Sequence, residues 1–179
     1  MERARRFRSD RDRGRWVAAR VFLRRAVARE VGADPAELRF AYSESGKPSL
    51  PDGPRFSLAH SDAHALLALS MGADVGADLE LVRPDVAEPS VAESFFSPAE
   101  QATLAALPPP ERLRRFFDLW TLKEAYLKAT GAGITPPGAL AELPAGGWVA
   151  ERPPVPDGYA AAVVALVEEA TFSFGSWSA

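Results

Sequence analysis

Between Glu111 and Gly131 the chain carries one apolar stripe at helical spacing, Leu113, Phe116, Phe117, Trp120 and Leu127, and the position that would continue the stripe, 124, is a glutamate. A helix with such a stripe must press that face onto the rest of the molecule, and here it takes a carboxylate under cover with it. A buried charge without a partner is costly, so Glu124 needs one. Lys128, one helical turn on, is one candidate; a metal ion is the other. Gly131 and Gly133 stop the helix.

The other segments surround this helix with short strands. Ser9 and Asp12 have the spacing of a capping box, and Trp16–Val31, with Ala19, Phe22, Leu23 and Ala26 on one face, reads as a long first helix ended by Gly32. Leu38–Tyr42 reads as a strand and Ser43–Lys47 as a turn. Phe56–His60 and Ala65–Met71 read as a hairpin joined through Ser61–His64. In Val75–Val82 the residues alternate, with Val75, Ala77, Leu79 and Leu81 on one side and Asp78 and Glu80 sharing the other. The polar, proline-containing stretch around Arg83–Val91 is a junction between two halves. Ser97-Pro98-Ala99-Glu100 starts a further helix, which the prolines at 108–110 end. Residues 136–158 read mostly as loop, and Tyr159–Val167 and Thr171–Trp177 as closing strands. The expected fold class is α+β, in one globular unit.

Composition narrows the function. The 179 residues suffice to bury roughly two thirds of the unfolded surface. No apolar run reaches the ~20 residues needed to span a bilayer and the arginine-rich start lacks a secretion-signal core, so the expectation is a cytoplasmic protein with no membrane contact. The absence of cysteine excludes disulfides, thiolate metal sites and a cysteine nucleophile. Residues 1–29 hold eleven arginines in a chain whose net charge is −3, which suits either an anionic ligand or a solvated helix face. Nucleic acid is not expected, as no binding signature accompanies this charge. The chain has only three lysines, Lys47, Lys123 and Lys128, against eighteen arginines. Lysine offers a compact charge and a proton it can lose, and two of the three flank Glu124.

Asp78 and Glu80 lie about 7 Å apart by strand geometry and repel each other unless a cation or water screens them. With Glu124 they make an open, all-oxygen site of the kind Mg2+ occupies while keeping waters and substrate phosphate. Lys123 and Lys128 could neutralise charge on phosphate oxygens and a leaving group, so the site suggests phosphoryl or phosphodiester transfer. A zinc site from His60 and His64 lacks a third soft ligand. No phosphate loop of the GxxxxGK[ST] type is present.

At these residues the chain resembles a known family. Val75-Gly76-Ala77-Asp78-Leu79-Glu80 is similar to the (V/I)G(I/V)D(I/L)E signature of 4′-phosphopantetheinyl transferases, and Phe116 to Lys128, FFDLWTLKEAYLK, fits their FxxxWxxKExxxK signature. Gly46-Lys47-Pro48 and Phe56-Ser57-Leu58-Ala59-His60-Ser61 fit two further motifs of the Sfp-type branch, in order. The resemblance implies two similar α+β halves related by a pseudo-twofold axis, here 1–82 and 83–179, with the site between them in a monomer. It implies transfer of phosphopantetheine from coenzyme A to a serine of an acyl, polyketide or peptidyl carrier protein, with Asp78, Glu80 and Glu124 as Mg2+ ligands. Glu124 or a metal-linked water would take the serine proton, and Lys128, assisted by Lys123, would stabilise departing 3′,5′-ADP. His60, Ser61, Lys47, Arg15 and Arg3 (or Arg5), together with Lys123 and Lys128, would contact coenzyme A. His64 matches no motif. Two departures stand out. The chain begins almost inside the arginine-rich region, where Sfp-type members usually carry a further segment with a strand, and it has Ala59 where many have a hydroxyl residue. A different outcome, a relative that binds coenzyme A or a carrier without transferring anything, stays open on the sequence.

Overall fold

The computed structural model describes residues 9–43, 46–87, 89–133 and 142–177. Helix α1 (Asp10–Val31) starts where Ser9 accepts a hydrogen bond from the Asp12 amide and ends at Gly32, whose φ of 67° is the left-handed conformation that glycine adopts freely. Two two-residue strands, β1 (Ala41–Tyr42) and β2 (Pro48–Ser49), pair with each other, so the strand expected over Leu38–Tyr42 is realised only at its end. Strands β3 (Arg55–Ser61) and β4 (His64–Ser70) form the expected hairpin in a seven-pair antiparallel register, turning through Asp62 at φ 49°. α1 covers one side of it: Leu23, Val27 and Ala28 pack with Leu38 and Phe56.

Strand β5 (Val75–Leu81) does not join the hairpin's ladder. It pairs with β7 (Tyr159–Ala165), which also pairs with β6 (Val149–Glu151), in the order β5-β7-β6. A boundary at 82/83 therefore runs between two hydrogen-bonded strands. Ala59 and Ala68 of the hairpin meet Val75, Ala77 and Leu79 on one side of this sheet. Its other side takes helix α4 (Pro109–Thr130), where Ala125 and Ala129 lie on Ala162 and Val164. The first turns of α4 pack Phe116 and Phe117 with Phe96 and Leu104 from α2 (Pro89–Phe95), α3 (Pro98–Ala106) and the link between them. α3 begins with a complete capping box, Ser97 and Glu100 exchanging side-chain and backbone bonds.

The structure differs from the sequence reading at three further places. The junction 83–91 contains the start of α2, for which Pro89 is a suitable first-turn residue. Within the stretch read mostly as loop, Val149–Glu151 forms an edge strand. Thr171–Trp177 is not a strand: β7 already has a partner on each edge, and the segment instead lays Trp177 against Phe22, ring centroids 6.0 Å apart, with Arg29 over its indole. Among the described residues no helix is long and apolar enough to cross a membrane. The fold class is mixed α+β, as expected.

Candidate active site

Gly76 sets the dimensions of the site. A Cβ placed on it would lie 1.8 Å from the Ala125 carbonyl oxygen and 2.5 Å from the Ala129 amide nitrogen, so α4 rests its backbone directly on β5. Only glycine permits that approach. The contact carries Glu124 and Lys128, both half-buried, over the strand face that holds Asp78 and Glu80.

Lys128 Nζ is 2.5 Å from Asp78 Oδ1, an ion pair between α4 and β5. Asp78 is 3% exposed, and its second oxygen, Oδ2, is buried without a hydrogen-bond partner. Leaving such an atom unsatisfied costs about 1–3 kcal/mol. Burial pushes the Asp78 carboxyl upward, opposed by the charge and hydrogen bond of Lys128 and by the Leu79 amide. Glu80 is raised by burial and then by the charge of Asp78, while Ser61 and Lys128 pull it back. Glu124 is raised by burial and by Asp78, with Lys128 opposing. The three carboxylates therefore share one electrostatic neighbourhood in which Lys128 is the common cation. Among the described residues no three acidic or imidazole groups converge on a single point as they stand.

Beside them opens a cavity of about 530 Å³, lined by Glu124 and Lys128 from α4, His60 from β3, Lys47, Phe95 and, from α1, Trp16 and Arg20. That volume is in the range of small-ligand sites. His60 sits exposed at its rim, and partial desolvation, then the positive charges of Arg20 and Lys128, push its imidazole below the usual histidine range. Lys47 Nζ reaches the carbonyls of Val75 and Ala129, each at 3.4 Å, and that of Lys128. It caps the negative end of α4 and ties that end to β5, a placement that favours a cation. Burial lowers its pKa, against the attraction of Asp74.

Among the described residues, two expected site residues, Lys123 and Arg15, are not brought to these carboxylates. Lys123 is 4% exposed, its Nζ 2.9 Å from Glu100 and 5.7 Å from the Phe96 ring centroid, because its helical position faces the α3 side of α4. The sequence placed it beside the leaving group; here its ammonium pairs with Glu100 on α3. Arg15 pairs with Asp62 at 2.8 Å and lines a second cavity with Arg25 and His64, for which His60 is a shared wall. Arg3, like Arg5, lies outside the described residues. Ser61 is close, but its hydroxyl is engaged by Glu80 and by the Leu81 amide, each at 3.0 Å. Sequence reasoning missed Trp16, Arg20 and Phe95 as cavity lining, since aromatic and arginine residues on helix faces are ordinarily structural.

Comparison with known proteins agrees with this geometry. A family model described as the 4′-phosphopantetheinyl transferase superfamily matches residues 74–148, from the strand of Asp78 through the helix of Lys128. A putative 4′-phosphopantetheinyl transferase, slr0495, of Synechocystis sp. is 38% identical over 139 residues, 75% of this chain and 56% of that protein. The 4′-phosphopantetheinyl transferase HetI of Nostoc sp. is 41% identical over 139 residues, 75% of this chain and 59% of the relative. The 4′-phosphopantetheinyl transferase Sfp of Bacillus subtilis is 33% identical over 138 residues, with coverages of 76% and 60%. The matched region spans less than two thirds of the length of these relatives.

Proposed function

Because the chain belongs to the 4′-phosphopantetheinyl transferase superfamily, we propose that it moves 4′-phosphopantetheine from coenzyme A to a serine of an acyl, polyketide or peptidyl carrier protein, releasing 3′,5′-ADP. The observation that supports this most is the gathering of Asp78, Glu80 and Glu124 around Lys128 beside a cavity that His60 and Lys47 also line. One chain supplies all these groups, which suits a monomer.

In this reading the acceptor serine oxygen forms a bond to the pyrophosphate phosphorus that carries pantetheine. The bond from that phosphorus to the oxygen bridging to adenosine breaks, and its electron pair leaves with 3′,5′-ADP. Glu124, which lines the cavity, or a water beside it accepts the serine proton. Lys128 turns its ammonium to the oxygens that gain charge on the departing nucleotide. His60 at the rim meets a phosphate of coenzyme A. The nucleophile belongs to the carrier, so no serine triad or cysteine is required of this chain.

In donor type the site suits a divalent metal, and its three carboxylates would have to draw together to hold one. All three are carboxylates, and Asp78 keeps a buried oxygen that no protein group satisfies. Asp78, Glu80 and Glu124 would hold Mg2+, and when bound it supplies positive charge to the pyrophosphate oxygens. In this reading Lys123 anchors α3 on α4 through Glu100 and does not meet the leaving group.

The test is mass spectrometry of apo carrier proteins of several classes incubated with this chain, coenzyme A and Mg2+, beside an EDTA control. A metal-dependent gain of one phosphopantetheinyl group is expected. Binding of coenzyme A without any gain would make this chain a binding protein instead.

A further inference from the structure

Ser57 and Ser61 lie four residues apart on β3 and do the same thing to β5. Ser57 Oγ accepts a hydrogen bond from the Ala77 amide at 3.0 Å, and Ser61 Oγ accepts one from the Leu81 amide at 3.0 Å. Both hydroxyls stand in for the backbone carbonyls that a regular ladder would have supplied. Only Ser61 has a carboxylate within reach: Glu80 Oε2 is 3.0 Å from its Oγ.

We propose that Ser61 is the positioning residue of the divalent-ion site, fixing Glu80 as a ligand. The claim rests on the reading of Asp78, Glu80 and Glu124 as ion ligands given above. A hydroxyl has one proton to donate. Because Ser61 Oγ accepts from a main-chain amide, its orientation is set and that proton points at Glu80. A hydrogen bond to an ionised carboxylate is among the stronger ones. Glutamate has several rotatable bonds, and a half-buried Glu80 repelled by Asp78 would otherwise swing away from it. Ser61 itself cannot drift, being paired with His64 at the closing end of the hairpin, beside Asp62 at φ 49°. The resemblance had suggested a contact with coenzyme A for this serine; its hydrogen-bonding capacity is directed at Glu80 and the Leu81 amide instead. Ser57 is the internal control, since it stitches β3 to β5 without touching a ligand.

Mn2+ binding to the purified chain, without coenzyme A, is measured by electron paramagnetic resonance for the wild type, Ser61→Ala, Ser61→Thr and Ser57→Ala. Removing a group that orients a metal ligand typically weakens metal affinity about 10–100-fold, and that is the loss expected for Ser61→Ala. Ser61→Thr keeps the hydroxyl and restores affinity. Ser57→Ala lowers thermal stability and leaves Mn2+ affinity at the wild-type level. If Ser61→Ala does not fold, Ser61→Cys, with a weaker donor of similar shape, is expected to show the same loss. Wild-type affinity in Ser61→Ala, or in Ser61→Cys where that is used instead, overturns the proposal, as does an equal loss in Ser57→Ala, which would mark general loosening. A fall in coenzyme A affinity with Mn2+ affinity intact overturns it in favour of a substrate contact. No Mn2+ binding by the wild type removes the ion-site reading itself, a result distinct from all of these.

Discussion

Replacing Gly76 by alanine tests whether the approach of α4 to β5 governs the reaction. The backbone at Gly76 lies outside the left-handed region, so alanine meets no conformational barrier and the effect is steric. The new Cβ would start 1.8 Å from the Ala125 carbonyl oxygen, and ordinary contact begins near 3.4 Å, so helix and strand must part by about 1.6 Å. Both colliding groups are main chain and cannot turn aside. Overpacking of this kind costs about 1–3 kcal/mol, and the rigid geometry puts this site near the upper end. The stiffer unfolded chain gives back about 0.4–1 kcal/mol. A net loss of about 2 kcal/mol lowers the melting temperature by roughly 4–8 °C in a chain of this size. The same displacement moves Glu124 and Lys128 off Asp78, and a misplacement of about 1 Å in a catalytic constellation can cost roughly 100-fold in rate. Thermal unfolding, together with single-turnover labelling of a carrier at a temperature where the variant is folded, reads both effects. Wild-type melting and wild-type turnover would show that the helix position is not what holds the site.

Three further outcomes follow from the geometry. Glu124→Gln should abolish transfer yet raise the melting temperature of the metal-free protein at pH 8. Burial and Asp78 hold the folded pKa of Glu124 above its unfolded value, so this group's contribution to stability is full below the unfolded pKa and is lost as pH rises through the folded one; melting curves from pH 4 to 8 check the sign. Lys123→Met should lower stability by about 1–2 kcal/mol, because the partly exposed Glu100 loses its ammonium partner but keeps the Ser97 amide, while the turnover of folded protein stays near wild type; a large fall in kcat at unchanged stability would return Lys123 to the chemistry. Lys128→Ala should lower kcat more than it weakens coenzyme A binding, as expected of a group that acts on the leaving oxygens; equal losses in kcat and kcat/KM with no change in KM are the signature to look for.

The parts of this site that could be read in the sequence are those where a residue breaks its local pattern. Glu124 interrupts an apolar stripe, and Asp78 and Glu80 interrupt a strand buried along most of its length. The helix and strand periods put each on a face of its own element; that the two faces meet was implied by the family motifs and not by periodicity. What periodicity cannot carry is which strand pairs with which, so β5 joining β7, 78 or more residues later, was invisible, as was the failure of Thr171–Trp177 to find an edge. Lys123 and Lys128 look alike as neighbours of a glutamate, yet five positions on a helix turn them to different sides, one to Glu100 and one to Asp78. The direction of that turn relative to β5 is a tertiary fact.

The serines of β3 give β5 two unlike edges. Toward β7 its amides are held by a regular backbone ladder; toward β3 those of Ala77 and Leu81 are held by the hydroxyls of Ser57 and Ser61. Side-chain acceptors can rotate away without any strand separating. Amide hydrogen exchange along β5 should therefore alternate, with Ala77 and Leu81 opening before Gly76, Asp78 and Glu80. The strand that carries the acidic site would then be anchored on one side and able to breathe on the side where the hairpin brings His60 and Ser61.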